Sequence, residues 1–345
     1  MLQALSQEID LRKNYLAGET IETIYFGGGT PSLLSADELQ ILIGAITDLY
    51  EVSPTAEITL EANPDDLNPQ KVREFRQTLV NRFSIGIQSF FEEDLKWMNR
   101  AHTALEAQSS IKRVQDAGFE NITADLIYGY PLLSTPKWEH NIQQLIELHI
   151  PHISSYSMTV EPATALSSFI KKGEQKPMDE GQSSAQFLIL MEQLTEVGFE
   201  HYEISNFAKP GLYSKHNSNY WEGVSYLGIG PSAHSFNGES RQWNVSNNSK
   251  YIDQIQLKKI PAEMEMLSTE NRINEYIMTS LRTSKGISLQ KITERFGSDY
   301  ANEVRDCLEP FADKNWINLK QQIVTLTTDG KLFADHIASE LFINT

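Results

Sequence analysis

Glu61, Gln88, Arg100 and Asp125 are the residue types that hold a charged small molecule. Glu61 ends the run "ITLE", Gln88 ends "SIGIQ", Arg100 lies in "NRAH" and Asp125 in "TADLIYGYP". Carboxylates suit a cation, a guanidinium suits a carboxylate, and an amide can donate or accept. Upstream, "YFGGGTPSLL" sets Gly27, Gly28 and Gly29 directly after a β-type apolar run. Such bare backbone can be a tight turn at positive φ, or an edge whose N–H and C=O groups meet a ligand. A P-loop is disfavoured because the Gly-Lys-Ser/Thr ending is missing, and the run is not G-x-G-x-x-G. Taken singly, Glu61 or Asp125 could cap a helix and Arg100 could lie on the surface.

Strands must present these side chains. The expected strands are Ile21–Phe26, Glu57–Glu61, Arg82–Ile87, Asn121–Ile127 and Pro151–Met158. Helical periods fall between and after them, near Asp37–Leu49, Pro69–Leu79, Ala104–Ala117, Lys137–Leu148 and Ser183–Glu196. The alternation predicts an α/β fold, a parallel sheet with outer helices and its site at the carboxyl ends of the strands. A doubly wound nucleotide-binding sheet has the same periodicity. One polar residue per strand end is the layout of a ligand site on a parallel barrel. The chain opens on an amphipathic helix, "LQALSQEIDLRKNYL", with no strand ahead of it to pack beside.

Residues 1–205 are expected to form the α/β part, and 206–262 a connecting loop region rich in Gly, Asn and aromatics. Residues 263–345 read as a winged-helix-like α+β module: helices, a small hairpin and a last helix. DNA binding by that module is disfavoured, since it holds more Asp and Glu than Lys and Arg. The whole chain, 345 residues with a formal charge of -17, also argues against a nucleic-acid partner. Its one cysteine, Cys307, excludes an internal disulfide framework and suits a reducing cytoplasm.

The stretches "YFGGGTPSLL", "EITLEANP", "SIGIQSF", "NRAH" and "ITADLIYGYP", in this order and spacing, resemble the radical S-adenosylmethionine proteins related to oxygen-independent coproporphyrinogen III oxidase. The resemblance covers nearly the whole chain. Gln88 is followed by Ser89-Phe90 where the oxidases tend to have Asp, and Glu61 by Ala-Asn-Pro. With "KHNSNYW" and "YLGIGPSAHSF", this is similar to the heme chaperone branch, HemW. The resemblance implies a partial (β/α)6 TIM-like barrel. It also implies that S-adenosylmethionine contacts Gly28, Gly29, Thr30, Glu61, Gln88, Arg100 and Asp125, with Thr159 at a poorly matched further position.

The family's 4Fe–4S cluster needs three thiolates in a CxxxCxxC loop after the first strand. Cys307 cannot supply them. The chain is therefore expected to be a truncated member, without the family's first strand and cluster loop. The next strand's edge would then be exposed, and the fragment poorly soluble.

The heme chaperone resemblance implies heme and a heme-accepting client protein, which can be membrane-associated. His201, His216 and His234 are candidate axial ligands. His216 is preferred, with Tyr220 and Trp221 for apolar contact, although Asn217 and Asn219 could fix the segment without heme. His102 reads as a residue behind the site, and Glu203 and Asn206 as possible cavity lining. Two other readings remain open at this point: a radical oxidase of porphyrin biosynthesis, and a barrel hydrolase or isomerase using Glu61 and Asp125 as paired carboxylates.

Overall fold

The computed structural model describes residues 1–162 and 164–343, so the last two residues of the expected C-terminal module lie outside the described residues. The chain forms two compact units interleaved in sequence: Tyr25–Ala36 with Glu57–Ser214, and Met1–Ile24 with Asp37–Ala56 and Lys215 onward.

The sheet strands are β1 (Ile21–Phe26), β2 (Val52–Ala62), β3 (Arg82–Gln88), β4 (Asn121–Tyr128), β5 (His152–Ser157), β6 (Glu200–Glu203) and β7 (Asn206–Ala208). Their order is β1-β2-β3-β4-β5-β7-β6. β2 to β5 are parallel neighbours, whereas β7 runs antiparallel to both β5 and β6. The stretch "HYEISNF" is thus a two-strand ribbon closing that end of the sheet.

Side chains alternate between the faces of a strand, so each strand sorts its own residues. Ile58, Leu60, Phe83, Ile85, Ile87, Ile122, Ala124 and Leu126 are buried on one face. Helical neighbours pack there: Tyr128 lies 5.6 Å from Trp138 between ring centroids. The alternate positions are polar: Glu57, Thr59 and Glu61 on β2, Arg82 and Ser84 on β3, Thr123 and Asp125 on β4, His152 and Ser154 on β5. Parallel strands buried on both faces usually read as continuous apolar runs. Here the second face is built for polar contacts.

Its lowest row is buried and linked side chain to side chain. The Arg82 guanidinium donates to Thr123 Oγ1, and its Nε lies 3.6 Å from Glu57 Oε2. Arginine only donates, so the Thr123 hydroxyl accepts from it, and the same oxygen lies 3.0 Å from His152 Nδ1. On its other side, His152 Nε2 lies 2.6 Å from the Tyr202 hydroxyl. Burial, and then Arg82, hold the His152 pKa well below the ordinary histidine value, which keeps the ring neutral.

In the other unit, the opening helix, Leu2–Leu11, packs against residues far along the chain. Ala4 packs with Tyr251 and Ile255 of the helix Asn248–Gln256. The buried Glu8 carboxylate accepts from Arg12 Nε at 2.8 Å, Asn244 Nδ2 at 2.7 Å, the Gly230 N–H at 2.8 Å and Tyr251 OH at 2.5 Å. A charge so far from water needs all of these donors.

The segment expected as a loop is largely structured. It contains a helix, Lys215–Trp221, and the strands β8 (His234–Phe236) and β9 (Ser240–Asn244), which form an antiparallel sheet with β10 (Ala262–Met266) at the start of the next segment. These elements are only three to seven residues long, too short to show a period against Gly and Asn. The C-terminal part sets the helix Thr269–Leu281 against a second small sheet, β11 (Ile287–Ser288), β12 (Ile317–Lys320) and β13 (Ile323–Leu326). Ile273, Ile277 and Leu281 share its core with Ile292, Val304, Val324 and Ile337. Among the described residues, no helix is long and apolar enough to cross a membrane.

Candidate functional site

The three glycines serve different needs. Gly28 and Gly29 stand at φ +71° and +60°, in the left-handed region, with open space beside both. At Gly27 an added Cβ would lie 2.6 Å from the Tyr25 ring and 3.0 Å from Glu61 Oε1. Gly27 is therefore bare to let Tyr25 and Glu61 meet, and the next two to let the chain turn. Thr30 follows, ahead of the short 3-10 turn Pro31–Leu33. The buried Ser32 hydroxyl anchors that turn, donating to Asp66 Oδ2 at 2.6 Å and accepting from the Asn63 N–H at 3.3 Å.

Glu61 closes the glycine edge. Its Oε2 accepts the Gly28 N–H at 3.1 Å and its Oε1 the Tyr25 hydroxyl at 2.7 Å. Burial first, then the Glu61 charge, raise the Tyr25 pKa well above its ordinary value.

Gln88 and Arg100 converge on Gly86. A Cβ there would come within 2.9 Å of Gln88 Nε2 and 3.2 Å of Arg100 Nη2, so both side-chain ends would have to shift to admit it. Arg100 Nη2 donates to Asn63 Oδ1 at 2.8 Å and is 3.4 Å from the Gly86 carbonyl. Asn63 stands two residues beyond Glu61, which links this pair to the glycine edge.

The sequence "WMNRAHT" explains how Arg100 gets there. The helix Glu92–Trp97 ends in a Schellman motif: Arg100 N donates to Leu95 O at 2.9 Å, Asn99 N to Lys96 O at 3.1 Å, and Asn99 takes φ +56°. Thr103 and Glu106 form a capping box that starts the next helix, Ala104–Asp116. Only Arg100, Ala101 and His102 lie between these fixed points. Arg100 and His102 both reach the end of β3.

Asp125 sits among hydroxyls. The Ser84 hydroxyl lies 3.4 Å from its Oδ1, and Ser154 pairs with Asp125 across β4 and β5. Burial, then repulsion from Glu61, push its pKa up to about 7 against the opposing pull of Arg82, Ser84 and Ser154. Asp125 and Glu61 therefore feel one another. Such a site can take a cation at the carboxylates and an anion at Arg100, beside bare backbone.

Among the other expected residues, Thr159 lies on the exposed segment after β5, its hydroxyl 3.5 Å from Glu161 Oε1. Glu203 is buried and accepts from Ser205 N at 3.0 Å and Asn206 Nδ2 at 2.5 Å, while Asn206 Oδ1 accepts from Ser154 Oγ at 2.8 Å. Tyr25, Asn63, Ser84 and Ser154 were not singled out from the sequence. Strand alternation relative to Glu61 and Asp125 is the signal that could have found three of them.

In the other unit His216 Nδ1 lies 2.9 Å from Thr23 Oγ1. Tyr220, one helical turn on, is 45% exposed. Trp221 takes the Arg282 guanidinium 5.2 Å above its ring. Trp221 is thus a packing residue, and Tyr220, itself 5.2 Å from Trp221 and 5.5 Å from Tyr226 between ring centroids, is the more exposed ring. His201 stacks on Phe207 at 4.0 Å with Nε2 against Ile204 O, a role within its own ribbon. His234 is exposed, 6.5 Å from the Trp243 ring.

Comparison with known proteins bears on these readings. Residues 6–148 match the Radical SAM superfamily and residues 267–333 the HemN C-terminal domain. Over 97% of this chain and 89% of the relative, the chain is 34% identical to the heme chaperone HemW of Bacillus subtilis. It is 31% identical to HemW of Lactococcus lactis, over 94% of this chain and 86% of that one. The structure of coproporphyrinogen III oxidase (HemN) from Escherichia coli, a radical SAM enzyme, superposes with a TM-score of 0.84. That match covers 99% of this chain and 82% of that one at 22% identity, and shows the curled, mostly parallel half-barrel fold.

Proposed function

The chain belongs to the HemW-type heme chaperone family of radical S-adenosylmethionine proteins, and from that premise we propose that it binds S-adenosylmethionine at the Glu61 edge and heme at His216, for delivery to a client protein. One observation carries the first half: the Glu61 carboxylate touches the glycine edge, lies within electrostatic reach of Asp125, and is two residues from the partner of Arg100.

The residues fit the ligand. Glu61 and Asp125 accept from its ammonium or ribose hydroxyls, and Arg100 exchanges a neutral amide partner for its carboxylate, a charge-assisted gain. Gly28, Gly29 and Thr30 lie along its backbone side, and Gln88 offers an amide. When bound, S-adenosylmethionine supplies a sulfonium centre. The 4Fe–4S cluster does not fit this chain's own residues. Its single cysteine, Cys307, is exposed in the C-terminal part, and no group of three metal-binding side chains occurs among the described residues. No radical step is assigned here.

For heme, the Thr23 hydroxyl would accept the His216 Nδ1 proton and so orient Nε2 as the iron-binding lone pair. Tyr220 supplies an apolar contact. Heme titration tests this half: a Soret shift in the wild type that is lost in His216→Ala supports it, and an unchanged shift in the variant removes His216 as ligand.

A further inference from the structure

Gln88 holds a backbone conformation that glutamine ordinarily avoids. Its φ is +64°, and the flanking Ser89 N–H donates to the Ile87 carbonyl at 2.8 Å. An i to i+2 bond around a residue at positive φ is the rarer, strained form of γ-turn. It falls where the register of β3 against β4 shifts, so the ladder does not impose it.

The turn is gripped on both sides. On the Ile87 side, the same carbonyl accepts a second bond from His102 Nε2 at 3.1 Å. A carbonyl only accepts, so His102 carries its proton on Nε2. The ring is 2% exposed, and burial lowers its pKa, consistent with the neutral form. Its Nδ1 has no hydrogen-bond partner among the described residues. On the far side, the fully buried Ser89 donates its hydroxyl to Asp94 Oδ2 at 3.0 Å and accepts from the Phe91 N–H at 3.1 Å. Asp94 is held in turn by Tyr130 OH at 2.8 Å and Lys137 Nζ at 2.5 Å.

We infer that His102 is a positioning residue: by donating to the Ile87 carbonyl it holds the strained turn that aims the Gln88 amide into the ligand site beside Arg100. This rests on the S-adenosylmethionine reading of that site but can fail independently of it. Strain of this kind persists only where the surroundings over-determine it. Sequence position adds to the case, since the Schellman end and the capping box leave His102 little freedom to do anything else.

The test uses the full chain and three variants. His102→Gln keeps a donor at the distance of Nε2, whereas His102→Leu and His102→Asn do not. Hydrogen exchange at the Ser89 amide reads the turn without any ligand. Protection should fall about tenfold in Leu and Asn, and stay within about twofold in Gln. Calorimetric titration with S-adenosylmethionine should show about tenfold weaker binding for His102→Leu, and no further loss when Gln88 is already Ala. If His102→Leu does not fold, the Asn and Gln variants make the same comparison. Unchanged Ser89 protection in Leu or Asn overturns the inference, as does an equal loss of affinity in the Gln88→Ala background. A wild-type chain that fails to bind S-adenosylmethionine overturns the proposed function instead, and Ser89 exchange still decides whether His102 holds the turn.

Discussion

Glu61 Oε2 accepts the backbone N–H of Gly28 at 3.1 Å, so the glycine edge and the first carboxylate of the site form one unit before any ligand arrives. Gly27 makes that contact possible, because a Cβ there would overlap the Tyr25 ring and press on Glu61. Gly27→Ala should therefore displace the Tyr25–Glu61 pair and weaken S-adenosylmethionine binding about tenfold in a calorimetric titration. Wild-type affinity in this variant would mean that the pair has no part in the site.

Asp125 sets a pH dependence. Its carboxyl titrates at about 7 in the folded chain, against about 3.9 for an ordinary aspartate. The native state thus holds the proton more tightly than the unfolded state. Stability from this group is fully present below the ordinary value and is lost as pH rises to about 7. Asp125→Asn keeps the shape without the charge. It should be more stable than wild type at pH 8, by up to about 4 kcal/mol for a shift of about three units, with the gain fading as pH falls toward about 4. Denaturant melts at the two pH values measure it, and a gain independent of pH would contradict the assignment.

The turn at Gln88 implies a trade between stability and binding. Left-handed backbone at a non-glycine residue costs roughly 1–3 kcal/mol, partly returned on substitution by glycine. Gln88→Gly should raise stability by about 0.5–1 kcal/mol while weakening S-adenosylmethionine binding. Gln88→Ala should weaken binding with no gain in stability. Urea titrations separate the two.

The Glu8 cluster is structural, and its loss should be severe. Glu8→Ala leaves Arg12 buried without its carboxylate, together with the Gly230, Asn244 and Tyr251 donors. Breaking a buried ion pair in this way costs about 3–5 kcal/mol. The variant should unfold at correspondingly lower urea, while His216→Ala should not.

The parallel strands were legible because the central residues of β2, β3 and β4 alternate, with Leu60, Phe83 and Leu126 toward the helices and Glu61, Ser84 and Asp125 away from them. The glycine run was legible as backbone chemistry, but not the division of labour within it, since Gly27 is bare on account of Tyr25 and Glu61, a contact between strands. No residue type announces positive φ at Gln88, so the turn and the role of His102 were invisible until the Ile87 carbonyl was seen to accept twice. The partners of the opening helix, Asn244 and Tyr251, were not legible because they lie more than two hundred residues away.

Isothermal titration of the full chain with S-adenosylmethionine, compared with Glu61→Gln and Arg100→Ala, tests the central claim most directly. Saturable binding that weakens at least tenfold in each variant and survives in His216→Ala is the expected result. Absence of binding to the wild type, or equal affinity in all of them, would contradict it.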